Sequence, residues 1–430
     1  MNEIEKRLAE EKERLESVTT PVELEGRLRQ ALDGVPVKKR RKPMWLLAAV
    51  ALLFFSLVSY NYNGLAFYGK KIMGFDELMS STLAELNEEG MGQLIGESVA
   101  LEDGTELTVD GIMTDANQFI LYYTLSNTSE DEDIPFARIK GFLTDSNRAQ
   151  GVSIWNEEKS EIKGQMYFEP VSPFAKKLTL EYTKWTDFDG GTSISSSITF
   201  PYDPNKAMQT ELKQKINKTI KVDKGKIKFK TITATPTVTK ITAVAKVTNA
   251  SRVFNPYGGI ELYANGKPLG EVISGSSSSK GIGSLLYDTD IEFSFDSLPK
   301  KLDSLELVIN EIVGYTTVNE EIPLDPLDGQ PHLVKEKEIW VRDVSITDGM
   351  LEVRIATDED VMLDGVTVMG QGGSFPLKTT VRQDYEELED GRIVKVRTLL
   401  FPTDAVPESM MIKGMHHMKP VGELIEITVK

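Results

Sequence analysis

Few residues in this chain have types and spacings that could do chemistry. His416 and His417 form the one adjacent histidine pair. Neighbours on a strand point to opposite faces, so the two cannot share one metal ion, and they read as surface polar residues. His332, next to Pro331, has no companion. The acidic run Glu130–Asp133 offers oxygens to Ca²⁺ but lacks the D-x-[DN]-x-[DN]-G spacing that wraps them round the ion, so it reads as a solvated loop. Trp185–Gly191 (WTDFDGG) sets two carboxylates before a glycine pair, which suits a turn. Asp384–Arg392 (DYEELEDGR) reads as a hairpin with an Asp-Gly tip. Ser274–Ser284 (SGSSSSKGIGS) has neither Walker spacing nor a strand-to-helix context, so it reads as a loop. GxSxG and HExxH are absent, and the chain has no cysteine, which removes thiol nucleophiles, disulfides and Cys-based zinc sites. The expectation is a non-enzymatic protein with no catalytic residue, no metal site and no cofactor.

The elements that carry these residues are bounded by composition. At 430 residues, 40% apolar and 27% charged, the chain is long enough for two to four folded domains. Its net charge of −17 speaks against nucleic acid as a partner of the bulk of the chain. An acidic exterior suits cationic or protein partners better than anionic polymers. The charge is uneven: residues 1–43 carry 11 basic and 9 acidic residues, so the positive excess is confined to the N-terminal side.

The sign changes at a membrane-spanning pattern. Lys38, Lys39, Arg40, Arg41 and Lys42 precede Pro43, and Met44 to Tyr60 then hold no charge and only two serines. These 17 residues make roughly 25 Å of helix, the short end of what crosses a hydrocarbon core of about 30 Å. Trp45 lies at one edge, with Tyr60 and Tyr62 at the other, where aromatic belts form. The five cations place the N-terminal side in the cytoplasm. A cleavable signal peptide would start near residue 1 and end in small residues; here 43 residues precede the span, and it runs out in LVSYNYNG. A single-pass helix over 44–62 follows, in the cell membrane and in contact with its lipid, with the C-terminal bulk extracytoplasmic.

Residues 1–43 predict a cytoplasmic helical head. Ile4, Leu8, Leu15 and Val18 are spaced for a first helix. Thr20, Pro21 and Glu23 read as N-cap, first helical residue and closure of a capping box. Leu24, Leu28, Ala31 and Leu32 stripe the second helix, which should stop near Gly34 and Pro36. Two helices this short bury little against each other. The stripe is either a solvated tether or a surface that folds onto a partner.

Beyond the span, 63–94 is a juxtamembrane helical segment, with Phe75, Leu78, Met79, Leu83, Ala84 and Leu86 on one face and Gly90 at its end. The rest reads as half-buried antiparallel strands, among them QFILYYTLSN, KITAVAKVTN and MLEVRIATD. A phased pattern recurs when Ile112, Ile232 and Val344 are aligned, at spacings of 120 and 112 residues. Each copy later has an aromatic, a Pro-containing turn and a strand, from Phe168, Phe295 and Phe401. The copies end in SSITFPYD, VNEEIPLD and ELIEITVK. The fold class is therefore mainly β: three immunoglobulin-like or related β-sandwich units at 95–204, 205–330 and 331–430. Units of this kind could also form one assembly that shares edges.

The P-x-x-L-x-x-R-L pattern of the head (Pro21, Leu24, Arg27, Leu28), the basic stop, one span, and the stretch Gly96–Asn127 together resemble a Gram-positive membrane-anchored family with an extracytoplasmic domain of unknown function. Members are often encoded beside extracytoplasmic-function sigma factors and labelled anti-sigma factors or sensors. The resemblance implies that residues 1–43 hold a sigma factor and that an outside signal releases it; the stripe Leu24, Leu28 and Leu32 together with Arg27 is the contact expected to make that capture. No zinc-type His-x-x-x-Cys-x-x-Cys stands in this head. The alternative is a non-enzymatic envelope protein whose β units bind an unknown extracellular ligand or protein, with the N-terminus only an anchor.

Overall fold

The computed structural model describes residues 71–128, 136–148, 150–187, 192–274, 278–279, 289–325, 327 and 329–429, with Arg7, Lys12, Glu13, Glu23, Gly26 and Arg27 nearer the N-terminus. Leu24, Leu28 and Leu32, the cations 38–42, Trp45, Tyr60, the span 44–62 and the acidic run 130–133 lie outside the described residues. Among the described residues, no helix is long and apolar enough to cross a membrane. The chain divides into two units, Met1–Ala66 and Phe67–Lys430, and every element below belongs to the second.

The expected helix over 75–90 is present only as α1 (Ser81–Glu88). Ser80 caps it by accepting from the Leu83 amide at 3.3 Å, which fixes the start at Ser81 and leaves Phe75–Met79 in turns. Gly90 takes φ +74°, and the Gly90 and Met91 amides bond back to Asn87 and Leu86, so a left-handed glycine ends the helix as expected.

The first repeat follows as β1 (Gln93–Ala100), β2 (Glu106–Thr114), β3 (Phe119–Ser126), β4 (Phe136–Gly141), β5 (Thr144–Asn147), β6 (Gln150–Trp155), β7 (Glu161–Phe168), β8 (Lys177–Asp187) and β9 (Thr192–Pro201). One sheet runs β1-β2-β3-β7-β6 and a second runs β5-β4-β8-β9. Their facing residues, among them Val109, Leu121, Ile139, Leu180 and Phe200, form one core. β3 departs from the expected half-burial, since every residue but its last is buried. Its run FILYY has no polar residue to turn outward, and its other face is covered by Ile72, Phe75, Met79 and Leu83 against Ile120 and Tyr122.

The second repeat holds β10 (Leu212–Val222), β11 (Gly225–Ala234), β12 (Thr239–Val247), β13 (Ile260–Ala264), β14 (Lys267–Pro268), β15 (Glu271–Ser274), β16 (Ser278–Ser279), β17 (Thr289–Phe295) and β18 (Leu305–Pro323). The third holds β19 (Pro331–Val334), β20 (Lys337–Thr347), β21 (Met350–Asp358), β22 (Met362–Asp364), β23 (Thr367–Gly370), β24 (Gly373–Pro376), β25 (Thr379–Glu387), β26 (Ile393–Phe401) and β27 (Pro407–Glu426). Their first sheets run β10-β11-β12-β17-β15 and β19-β20-β21-β26-β25, the order already met in the first repeat.

The likeness extends to register. Ile112 pairs with Leu121, Ile232 with Ile241 and Val344 with Val353. Each of these hairpins carries one extra residue two positions before the aligned one: Asp110, Lys230 and Arg342. A bulge re-aims a strand, so a shared bulge gives the three sheets the same local bend.

The second sheets differ. In the first repeat β8 and β9 form a hairpin closed at Asp187–Thr192, next to the glycine pair of WTDFDGG. At the same place the second repeat reads VGYTTVNEE, without a hairpin turn, and β18 runs straight on for 19 residues. β27 likewise runs for 20. The two pair from Glu306–Glu426 to Pro323–Ser409, so the second sheets of the last two repeats are one sheet, β14-β13-β18-β27-β23-β24, with β22 alongside β27. The position held by β9 in the first repeat is held in the second by the far half of β27, and in the third by the far half of β18. Ile425 and Ile427 thus belong to the core of the second repeat. Val318, Ile322 and Leu324 belong to that of the third.

Candidate functional site

Two polar junctions tie the repeats together, and both lie at positions the repeat makes equivalent. The first joins the first and second repeats turn to turn. The β2–β3 turn presents Asn117, whose Nδ2 donates to Thr233 O at 2.8 Å and Val238 O at 2.9 Å and lies 3.3 Å from Thr235 Oγ1. Thr237 Oγ1 donates back to Asp115 Oδ2. Asp115 is only 5% exposed, and its Oδ1 accepts from the amides of Asn117 (2.8 Å) and Gln118 (3.1 Å). Burial holds its carboxyl above the usual carboxylate range, against the opposing pull of these hydrogen bonds.

The same junction reaches α1. Lys300 of the second repeat donates to Glu85 at 2.7 Å and Glu89 at 3.0 Å, and these hydrogen bonds raise its pKa. Glu211 lines the adjoining 570 Å³ cleft with Glu85, Glu89, Pro236 and Asn265, and burial raises its pKa. Within the segment, Asn87 clamps Ile72 through both its amide nitrogen (2.8 Å) and its oxygen (2.9 Å), while Gln165 of β7 donates to Leu78 O at 2.7 Å. α1 therefore packs Leu83 against Ile120 and Tyr122 of the first repeat and is tethered to the second by the exposed Lys300.

The second junction is the middle of the shared sheet, and here stand His416 and His417. Neither is a surface residue: each is half-buried where β27 crosses β18 between the two cores. They do point to opposite partners. Asn249 Nδ2 donates to Gly314 O at 2.9 Å and lies 3.1 Å from His416 Nδ1, whose ring lies 4.9 Å from that of Tyr315. His417 Nδ1 donates to Met418 O at 2.8 Å, which leaves Nε2 to accept from Thr316 Oγ1 at 2.8 Å. Burial lowers the pKa of both. A lowered histidine takes up protons later in the folded than in the unfolded chain, so stability is unaffected above about pH 6.5 and falls below it. The urea midpoint of the last two repeats should drop between pH 7.5 and 5.5. It should drop less in His416→Gln/His417→Gln; equal drops would refute the assignment to this pair.

Of the residues expected to bind a partner, only Arg27 is described; it is exposed, in a helical turn in which its amide bonds to Glu23 O at 3.0 Å. The Asp390-Gly391 tip closes its hairpin through Leu388 and Arg392. His332 lies on β19, half-buried. Among the described residues, no three histidines or carboxylates gather to hold a metal ion. Asp115 and Asn117 were not singled out from sequence, although the spacing of 120 between Asn117 and Thr237 marks them as repeat partners.

Residues 38–127 match the family described as Domain of unknown function (DUF4179), a stretch that runs from the cation cluster through α1 to the end of β3. No curated protein matches the chain. Among solved structures, the chain is similar to a conserved domain protein from Bacillus anthracis at 10% identity, with a TM-score of 0.41 over 78% of this chain and 92% of that one. It is also similar to a marsupial T cell receptor at 7% identity, with a TM-score of 0.14 over 74% and 96% of the two chains. Neither likeness is close enough to assign a fold.

Proposed function

We propose that the chain is a single-pass membrane regulator of the anti-sigma-factor kind. Residues 1–43 are a cytoplasmic head that captures an extracytoplasmic-function sigma factor through Leu24, Arg27, Leu28 and Leu32. Residues 44–62 cross the cell membrane, and three β-sandwich units of immunoglobulin-like or related kind sense the outside in a Gram-positive envelope. The observation that carries the reading is the order of parts in the sequence: a leucine-striped head, five cations, 17 uncharged residues and an acidic, cysteine-free β region. The family match supports treating the basic stop, the apolar run and the first strands as one arrangement, since it covers all three. The grip on α1 supports a route for the signal, because α1 is the first helix described after the apolar run and both repeats touch it.

The test is a pull-down from detergent-solubilised membranes with the intact chain, a copy lacking residues 1–35, and Leu28→Asp. A charge in the apolar stripe should abolish capture of the sigma factor and leave insertion intact. Capture that survives both changes would overturn the proposal. The second reading, an envelope-binding protein with an inert anchor, is favoured by the extent of the fused β assembly. Replacing residues 1–43 by an unrelated basic signal anchor separates the two, because only the regulator should lose function.

A further inference from the structure

The outer face of the β10-β11-β12 sheet carries a lysine field unlike the rest of this acidic chain. On β10 and β11, Lys213, Lys215, Lys221, Lys226 and Lys228 are exposed, and among the described residues none of the five makes an ion pair. Lys213 and Lys215 pair with Thr233 and Thr231, Lys228 with Thr219, and the apolar partners Ile220 and Ile227 turn to the core. Register aligns Lys221 opposite Lys226, and Lys226 opposite Lys246 on β12. Lys221 and Lys226 stand directly opposite each other, and like charges so placed repel, a cost that the fold itself does not require. Lysines on an edge strand guard against sheet-to-sheet pairing, which accounts for β10 but not for the interior strands β11 and β12. The field stops where acids begin: Lys230 is held by Asp290 at 2.8 Å and Lys240 by Glu292 at 2.6 Å.

We propose that this face binds a linear anionic polymer with a phosphate in each repeat. Lysines two residues apart on a strand stand about 7 Å apart, and the next strand lies about 4.8 Å away, so an extended phosphodiester chain can set successive phosphates on successive cations. None of the large exposed apolar side chains lies on these three strands, so nothing is available to insert into a lipid layer. The exposed positions of the three strands are lysines, Asn217, Thr219 and Gly225, without an aromatic ring, which leaves no platform for stacked bases.

The test uses the full chain in phosphatidylcholine nanodiscs, titrated with synthetic poly(glycerol phosphate). The wild type should bind it far more tightly than it binds glycerol 3-phosphate, because linked phosphates engage together. Lys215→Gln/Lys221→Gln/Lys226→Gln/Lys228→Gln should lose the affinity, and the slope of log affinity against log salt should fall by about 3 for four lost contacts. The matching four-arginine variant should bind as the wild type does, which separates charge from fold. Binding that is unchanged in the glutamine variant would overturn the proposal. Displacement of the polymer by phosphatidylglycerol vesicles at equal phosphate would overturn it too, in favour of a membrane surface.

Discussion

Deletion of residues 423–430 should unfold the second and third repeats together and leave the first folded. Ile425 and Ile427 are each 6% exposed in the core of the second repeat, and the Ile427 amide bonds to Leu305 O at 2.8 Å. Removing two buried isoleucines costs about 2–5 kcal/mol each, against a total stability of about 5–15 kcal/mol for a domain. The loss also strips the pairing partners of Glu306–Ile309, so this stretch of β18 becomes an open edge. The same strand continues into the core of the third repeat through Val318 and Ile322, which spreads the damage. Hydrogen exchange on the intact and shortened chains reads the outcome. Protection should vanish across β10 to β27, not only beside the deletion. Loss confined to 305–309 would mean that the two repeats are separate cooperative units, and the shared strands mere neighbours.

Asn117→Asp should loosen the junction of the first two repeats by about 3–5 kcal/mol at neutral pH, as expected when a buried charge lacks compensation. The amide now donates to two carbonyl oxygens of the second repeat; a carboxylate would face them without a proton to give. It would also stand beside Asp115, itself buried and with its pKa already raised. Two such carboxylates cannot both ionise cheaply, so the defect should lessen as pH falls toward 5. Asn117→Ala removes the donor without adding charge and should cost about 1–3 kcal/mol, with no recovery in acid. Urea unfolding at pH 7.5 and 5.5 distinguishes the two. Equal losses at both pH values for Asn117→Asp would place the effect outside the dry turn-to-turn contact.

Much of the β organisation was legible because the period survives in sequence: Ile112, Ile232 and Val344 do occupy one position of three like-ordered sheets. The bulge beside them was not, since Asp110, Lys230 and Arg342 share only polarity. Strand sharing was hidden because SSITFPYD, VNEEIPLD and ELIEITVK look alike while folding onto different repeats. A signal for it did exist in the turn chemistry, since glycines stand between β8 and β9 and no such pair interrupts β18. The shortened α1 follows from Ser80, whose hydroxyl competes for the backbone within an otherwise helical apolar pattern. The histidines read as surface residues because burial here comes from a neighbouring repeat, which no local pattern reports. The lysine field was concealed by the net charge, an average that an acidic majority elsewhere dominates.

The exchange of β18 and β27 also sets an order of events during synthesis. The strand that completes the second repeat is made 114 to 120 residues after the strand it joins, since Ile309 pairs with Glu423 and Glu306 with Glu426, a separation that slows folding because the intervening loop must be closed first. The first repeat, whose β9 follows β8 at once, can close as soon as it emerges. The second must wait with Leu305, Leu307 and Ile309 uncovered until residues 423–427 arrive. A chain stalled or clipped before residues 423–427 would therefore carry an open apolar sheet that a protease or chaperone can recognise, so the arrival of that strand is itself what licenses the finished second repeat.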